Sequence, residues 1–377
     1  MYKRQEYGLG SIPLGGFVKI SGIIDESMDT KHMDKDPEPW EFRSKPPWQR
    51  LVVMLGGIIF NVITGLIIFT VMTYSNGDIY LSKEEINKNG VLALEIGKEV
   101  GFETGDKILK INGKDWSRDS DLFNPNLFFD DNTSFSVMRD NREVEINLPK
   151  NFINKMNSRE ALSSFLKARI PFYIDSVFQN NNALNAGIQK GDKIVRVDNK
   201  DIIDFFEFKE VLDNNKSSII QATILRENQK LEKVIEISKD GKIGIRVKNE
   251  PLEYSTQKYG FTESMAIGTD RAFGVVFINI KAFGKMFSGD IDPSKNLSGP
   301  IGIAQIFGST WNWTNFWRIV GLLSMVLAFM NLLPIPALDG GHATFILYEM
   351  ISGRKPTERF LEYLSLIHIS EPTRLSA

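Results

Sequence analysis

The chain has 377 residues, a formal net charge of −2 and a sequence pI near 6.1, so no overall basicity points to a nucleic-acid partner. It contains no cysteine, which excludes disulfides and thiolate metal sites, and only three histidines: His32, His342 and His368. The mean hydropathy of −0.16 is that of a soluble protein, yet it averages two strongly apolar stretches with long polar ones.

The two termini read as foreign. Met1–Gln5 and the run from Leu364 to Ala377 back-translate to the complementary strands of a transposon end used in sequencing libraries. Residues 1–5 and 364–377 are therefore expected to be adapter scars and are set aside, taking His368 with them. Residues 6–26 carry short β-prone runs broken by glycine pairs, the pattern of a hairpin, and residues 27–50 are a polar, proline-broken connector.

Leu51–Tyr74 is 24 residues without a charge, interrupted by one amide, Asn61. At a rise of about 1.5 Å per residue it is long enough to cross a hydrocarbon core of roughly 30 Å, so it is predicted to be a transmembrane helix.

Residues 75–312 contain an internal repeat. Gly101-Phe-Glu-Thr-Gly-Asp-Lys-Ile108 recurs as Gly187-Ile-Gln-Lys-Gly-Asp-Lys-Ile194, 86 residues later. In the first copy Ser134–Arg139 and Glu143–Leu148 flank an Asp140-Asn141 turn. In the second, Ile219–Leu225 and Val234–Ile237 flank Glu227-Asn228, so each copy predicts a hairpin. Two small β-rich domains follow, over 89–150 and 165–250. Within the second, Ile170–Ser176 is the candidate for a strand lining a peptide groove, with Tyr173 as its substrate-facing residue. In 253–312, Met265–Phe287 mixes apolar residues with glycine and lysine. It reads either as an amphipathic helix at a membrane surface or as one packed on a β domain.

The second apolar stretch, 313–342, ends in Asn331-Leu-Leu-Pro-Ile-Pro-Ala-Leu-Asp339-Gly-Gly-His342. Pro334 and Pro336 break a regular helix, and irregular backbone at membrane depth is tolerated only when buried in protein or lining a wet cavity. An aspartate ending a span is a functional candidate, while Asp-Gly at a helix end is also a common turn. Residues 343–363 read as a cytoplasmic segment. The 20 residues before Leu51 hold five Lys/Arg against two in the 20 after Tyr74, and 340–359 hold three against one in 299–318. This places 6–50 and the Asp339 end in the cytoplasm and 75–312 outside.

Several of these elements, in this order, resemble the site-2 proteases, the M50 family, in its RseP-like branch. Asn331–Gly341 resembles the family's third-helix signature and Tyr7–Val18 its membrane-associated β-hairpin. Gly56-Gly57 with Asn61 resembles its second helix, Ser298–Gly302 the approach to the third, and the G-x-x-x-G-D repeat the PDZ domains of bacterial envelope proteases. The resemblance implies a multi-pass α-helical membrane protein with two inserted PDZ-like domains, lying in a bacterial inner membrane with those domains outside the cytoplasm. It implies an intramembrane zinc metalloendopeptidase that cleaves transmembrane substrates such as anti-sigma factors, with client ectodomains or peptides meeting the PDZ domains. In that family two histidines of a His-Glu-x-x-His motif and the third-helix aspartate hold zinc, which activates water while the motif glutamate acts as base.

Carried over, Asp339 matches the metal ligand, and Asn331, Pro334 and Pro336 match a substrate-binding stretch; Asn331 equally suits bonding within its own broken helix. No His-Glu-x-x-His occurs in the 377 residues. The motif is expected upstream of Glu6 in a longer parent, and the polypeptide as written is expected to be inactive. His342 reads as a neighbour of the metal rather than a ligand. Two other readings stand beside the protease: a noncatalytic membrane-tethered PDZ module that gates clients, and an envelope PDZ serine protease. The second lacks a Gly-x-Ser-x-Gly element and a placed histidine base.

Overall fold

A computed structural model describes residues 38–156, 159–290, 307, 310–335 and 338–354. The predicted hairpin at 6–26, His32, Ser298–Gly302, Pro336 and His368 lie outside the described residues. The longer helices are α1 (Pro47–Asn76), α2 (Lys83–Asn89), α3 (Phe205–Asn214), α4 (Phe261–Phe287), α5 (Trp313–Leu332) and α6 (Asp339–Ser352). The chain divides into two compact units. One takes the chain up to Phe69, Gly268–Val276 and the chain from Trp313; the other takes Thr70–Ile267 and Phe277–Asn312.

The first unit is helical. Proline at the first helical position starts α1, where its missing N–H would have no partner in any case. Helices α1 and α5 are long and apolar enough to cross a bilayer. Val52, Ile59, Phe60, Ile63 and Ile67 are exposed along α1, a surface that water would penalise and lipid would cover. Tryptophans cluster at one end of each helix, Trp48 on α1 and Trp313 and Trp317 on α5, as at a membrane interface. The helices pack through small residues. A Cβ at Gly65 would lie 2.4 Å from Met325 Sδ, and one at Gly321 2.9 Å from Ile68 Cγ2. The pairing of 65 with 325 and 68 with 321 makes α1 and α5 antiparallel.

The second unit holds the repeat. Strand β1 (Asp78–Leu81) follows α1. The first β domain then comprises β2 (Val91–Ala93), β3 (Lys107–Ile111), β4 (Ser134–Arg139), β5 (Arg142–Asn147) and β6 (Leu166–Ala168), with a β3-β4-β5 sheet and a β2-β6 pair. The second comprises β7 (Phe172–Val177), β8 (Lys193–Val197), β9 (Lys200–Asp201), β10 (Ile219–Arg226), β11 (Gln229–Glu236) and β12 (Ile245–Asn249), with a β11-β10-β8-β9 sheet and a β12-β7 pair. Strand β13 (Tyr254–Gln257) returns to pair antiparallel with β1. Each domain has its own apolar core, centred on Phe102, Phe135 and Phe165 in the first and on Phe172, Ile194 and Phe208 in the second. Both hairpins fall where the sequence places them, and Asp140, Asn141, Glu227 and Asn228 all have positive φ, as a two-residue turn of the primed type requires.

The first domain is longer than the expected 89–150. Its core takes in Leu81 at one end and Phe165 and Leu166 at the other, because β6 supplies the partner of β2. The sequence cue covered only the meander and missed the closing strand.

The repeated aspartate is structural in both copies. Arg139 clasps the buried Asp106 with Nε and a terminal nitrogen at 2.8 and 2.7 Å and also donates to Gly101 O. Arg226 does the same to Asp192 at 2.8 Å through both nitrogens and donates to Gly187 O. Each carboxylate also accepts a backbone N–H, from Glu103 or Gln189. A buried carboxylate with this set of donors is satisfied and free of strain. The match, bond for bond, is what makes the two copies true repeats.

The helix expected over Met265–Phe287 is α4. Its last turns dock on the first domain: Lys285 donates to Asp131 at 2.8 Å and to Asn151 Oδ1 at 3.0 Å, and Lys281 donates to Asn126. Phe273, Phe277, Ile280 and Phe287 remain exposed on it, so it has features of both readings that the sequence left open.

Candidate membrane-embedded site at Asp339

Asp339 is the first residue of α6 and is half-buried; Asn331 is the penultimate residue of α5 and also half-buried. The two helices are separate rather than one span running to His342. Backbone bonds from Ile335 to Leu333 O (2.7 Å) and from Leu338 to Ile335 O (2.9 Å) turn the chain between them, and Pro334 lies exposed in this corner. Gly340 makes the corner possible. A Cβ there would lie 2.4 Å from Leu333 O and 2.6 Å from Leu332 O, backbone atoms that have no rotamer to escape into.

The depth of the corner follows from two further contacts. Arg50, near the start of α1, donates to Glu349 near the end of α6 at 2.6 Å, with both side chains about nine-tenths buried. From Glu349 back to Asp339 is about 15 Å of helix, and from Met325 to the end of α5 about 10 Å. Along α1, Arg50 to Gly65 is about 22 Å, so the two routes agree to within about 3 Å. Asp339 therefore lies level with Phe60 and Asn61, about 15 Å along α1 from the Arg50–Glu349 pair. Asn61 precedes Gly65 by one turn and so lies on the stripe that faces α5. Asn61, Asn331 and Asp339, separated in sequence by up to 278 residues, thus occupy one layer of an otherwise apolar bundle. His342 follows Asp339 by three residues on the same face of α6 and is half-buried.

Among the described residues, no group of three or more His, Asp or Glu side chains is placed to hold a metal. Asp339 alone does not make a zinc site, and the described residues do not complete one.

Tyr173 lies in the second unit, on β7, and the groove expectation changes there. Strand β7 is bonded along both edges. It pairs with β12 on one side, and on the other Ile174 donates to Asp192 O at 2.8 Å and receives from Gly191 at 2.7 Å. Among the described residues, the edge without a ladder partner in this pair is that of β12, one strand away from the expected one. Alternating β-branched residues marked a strand correctly, but they do not say which of two paired strands lies outside.

The sequence reading missed three arginines that organise the chain: Arg50, Arg139 and Arg226. Isolated arginines on a charged surface carry no signal, and their partners lie 33 to 299 residues away. Only the repeat held a cue, since Arg139 and Arg226 close equivalent strands of the two copies.

A helix broken at membrane depth, with an amide layer and an aspartate at the break, belongs to a known class. Peptidase family M50 matches residues 2–370, and the chain belongs to that family, the site-2 type of zinc metalloprotease. The match takes in part of the terminal residues set aside above. Among its relatives, the regulator of sigma E protease of Haemophilus influenzae is 29% identical over 94% of this chain and 81% of its own length. RseP, the regulator of sigma-E protease of Escherichia coli, is 27% identical over 95% of this chain and 82% of its own length. A Pasteurella multocida protein named as a zinc metalloprotease is 27% identical over 94% and 81%.

Proposed function

We propose that Asp339 supplies one carboxylate ligand to the zinc of an intramembrane protease, and that a His-Glu-x-x-His motif of a longer parent supplies the rest. The observation that carries this is its level. The carboxylate stands at a helix break about 15 Å along the bundle from an interfacial ion pair, near the middle of a hydrocarbon core of roughly 30 Å. An ionisable side chain is costly there and is retained where it has a task. Asn61 and Asn331, in the same layer, suit the binding of an extended substrate backbone, since an amide offers both donor and acceptor. Clients are membrane proteins, anti-sigma factors among them, as the names of the relatives suggest. The Arg50 end faces the cytoplasm and the β domains lie outside the bacterial inner membrane, as the lysine and arginine counts indicate. In the full-length parent, Asp339→Ala is expected to abolish cleavage and to remove most bound zinc without affecting membrane insertion. Unchanged proteolysis or zinc content in that variant sinks the assignment.

The β domains are proposed to be PDZ-like and to filter clients before they reach the bilayer. Their duplicated sheets and the unpaired β12 edge support this reading, because an extended peptide adds to such an edge through backbone bonds. Saturable binding of client-derived peptides, with the Ile245–Asn249 amides gaining exchange protection, is the expected result. Absence of binding, with unfolded client ectodomains still cut faster than folded ones, reduces the filter to exclusion by size.

A further inference from the structure

The two β domains have separate cores, and the chain passes from one to the other in three residues, Arg169-Ile-Pro171, between β6 and β7. Two cores joined by so short a link are ordinarily free to rock unless something pins the joint. Arg169 is in a position to pin it. Its backbone N–H donates to Gly90 O of the first domain at 3.2 Å. Its side chain, about nine-tenths buried, reaches the second domain, with Nε donating to Asp204 Oδ2 at 3.0 Å and a terminal nitrogen bonding Glu207.

These acceptors are themselves fixed. Asp204 caps α3, its other oxygen accepting from the N–H groups of Phe206 (2.8 Å) and Glu207 (3.0 Å), and its backbone bridges to Pro171. Glu207 accepts from Ile203 N–H at 3.1 Å with its second oxygen. The guanidinium is thus held by two carboxylates whose remaining lone pairs are engaged, so it has one place to sit. On exit from the second domain, Leu252 packs back against the first core, which gives the joint a second, purely apolar tether.

Beside this joint lies a cleft of about 480 Å³. Leu92, Leu122 and Leu166 of the first domain form one wall and Phe205, Phe206 and Asn249 of the second the other, so its width is set by the angle between the domains. Phe205 and Phe206 directly follow Asp204, and Leu166 and Ala168 directly precede Arg169, so the pin acts on the walls themselves.

We infer that Arg169 is a specificity-determining positioning residue: it holds the two β domains at one mutual orientation and thereby fixes the width of the cleft between them. Its bearing on client choice rests on the filter reading above. The latch itself does not.

The absence of cysteine makes a direct test simple. Spin labels are placed at Glu145→Cys on β5 and Lys230→Cys on β11, both exposed, in the full chain reconstituted in lipid nanodiscs. Pulsed electron-resonance distances are then compared. With Arg169 intact, one narrow distribution is expected. Arg169→Ala is expected to broaden it at least twofold and move its mean, Arg169→Lys to broaden it less, and Glu207→Gln to give an intermediate width. Should Arg169→Ala unfold the second domain, seen as loss of amide protection in β8 and β10, Glu207→Gln decides the matter, because it leaves the Asp204 bond in place. A distribution already broad with Arg169 intact, or one left unchanged by Arg169→Ala or, where that variant unfolds, by Glu207→Gln, overturns the inference. Client discrimination by the Arg169→Ala parent judges the filter separately. Broadened distances with retained discrimination sink the filter and leave the latch standing.

Discussion

At the scale of single residues, Gly340 carries the geometry of the candidate site. Two backbone carbonyls, those of Leu332 and Leu333, stand where a Cβ would go. The contrast with Gly65 is instructive, because there the obstacle is the flexible thioether of Met325, which can swing aside. Gly340→Ala must move the start of α6, and with it Asp339, away from the end of α5. Overpacking of this kind costs about 1–3 kcal/mol, and a displacement of about 1 Å at a reacting site can cost on the order of a hundredfold in rate. The full-length parent carrying Gly340→Ala should therefore insert normally but lose most of its proteolysis, whereas Gly65→Ala should retain it. Equal activity in the two variants would show that the corner does not position Asp339.

At the scale of elements, α4 is fastened to the first β domain by a charge that titrates. The Asp131 carboxyl accepts the Asn151 backbone N–H at 3.0 Å and pairs with Lys285, and these contacts hold its pKa below the ordinary carboxylate range. A depressed folded-state pKa contributes stability that is fully present above the unfolded value, about 3.9, and is lost as pH falls through the folded one. The docking of the last turns of α4 is thus expected to be insensitive to pH between about 5 and 8 and to weaken below about 4. Amide exchange over Lys281–Phe287, corrected for the intrinsic rate, reads this directly. In Asp131→Asn the same amides should exchange fast at every pH. Protection that survives at pH 3 with Asp131 present would mean that apolar contacts, not the ion pair, hold the helix end. The neighbouring amide Asn151 also receives a proton from Lys285 and donates to Asp290, so the carboxylate is one part of a small network and its loss is felt beyond a single bond.

At the scale of the whole molecule, the two β domains are copies with independent interiors, so damage to one should stay local. Arg226→Ala leaves the fully buried Asp192 without its partner, a loss of about 3–5 kcal/mol for a broken buried pair. Amide protection should fall throughout β7–β12 and persist in β2–β6, where Arg139 and Asp106 form the equivalent pair. A uniform loss across both domains would show one cooperative body instead of two. The Arg169 joint predicts orientation, not shared stability, and these two properties separate in this experiment.

The sequence by itself determined the elements whose cause is local. A 24-residue uncharged run has to be a helix in an apolar medium, Asp-Asn and Glu-Asn between β-prone runs have to turn, and an aspartate beyond two prolines cannot lie inside a regular span. The repeat marked two like domains because each copy places its Gly-x-x-x-Gly-Asp at the start of the same strand. What only the tertiary structure decided are matters of pairing over long separations. These are that β6 closes the first domain, that β12 and not β7 has the free edge, that Arg50 meets Glu349 across 299 residues, and that Asn61, Asn331 and Asp339 share a layer. Periodicity tells which face of an element is apolar, but the choice of neighbour is made by packing, and each of these partners was chosen by a distant part of the chain.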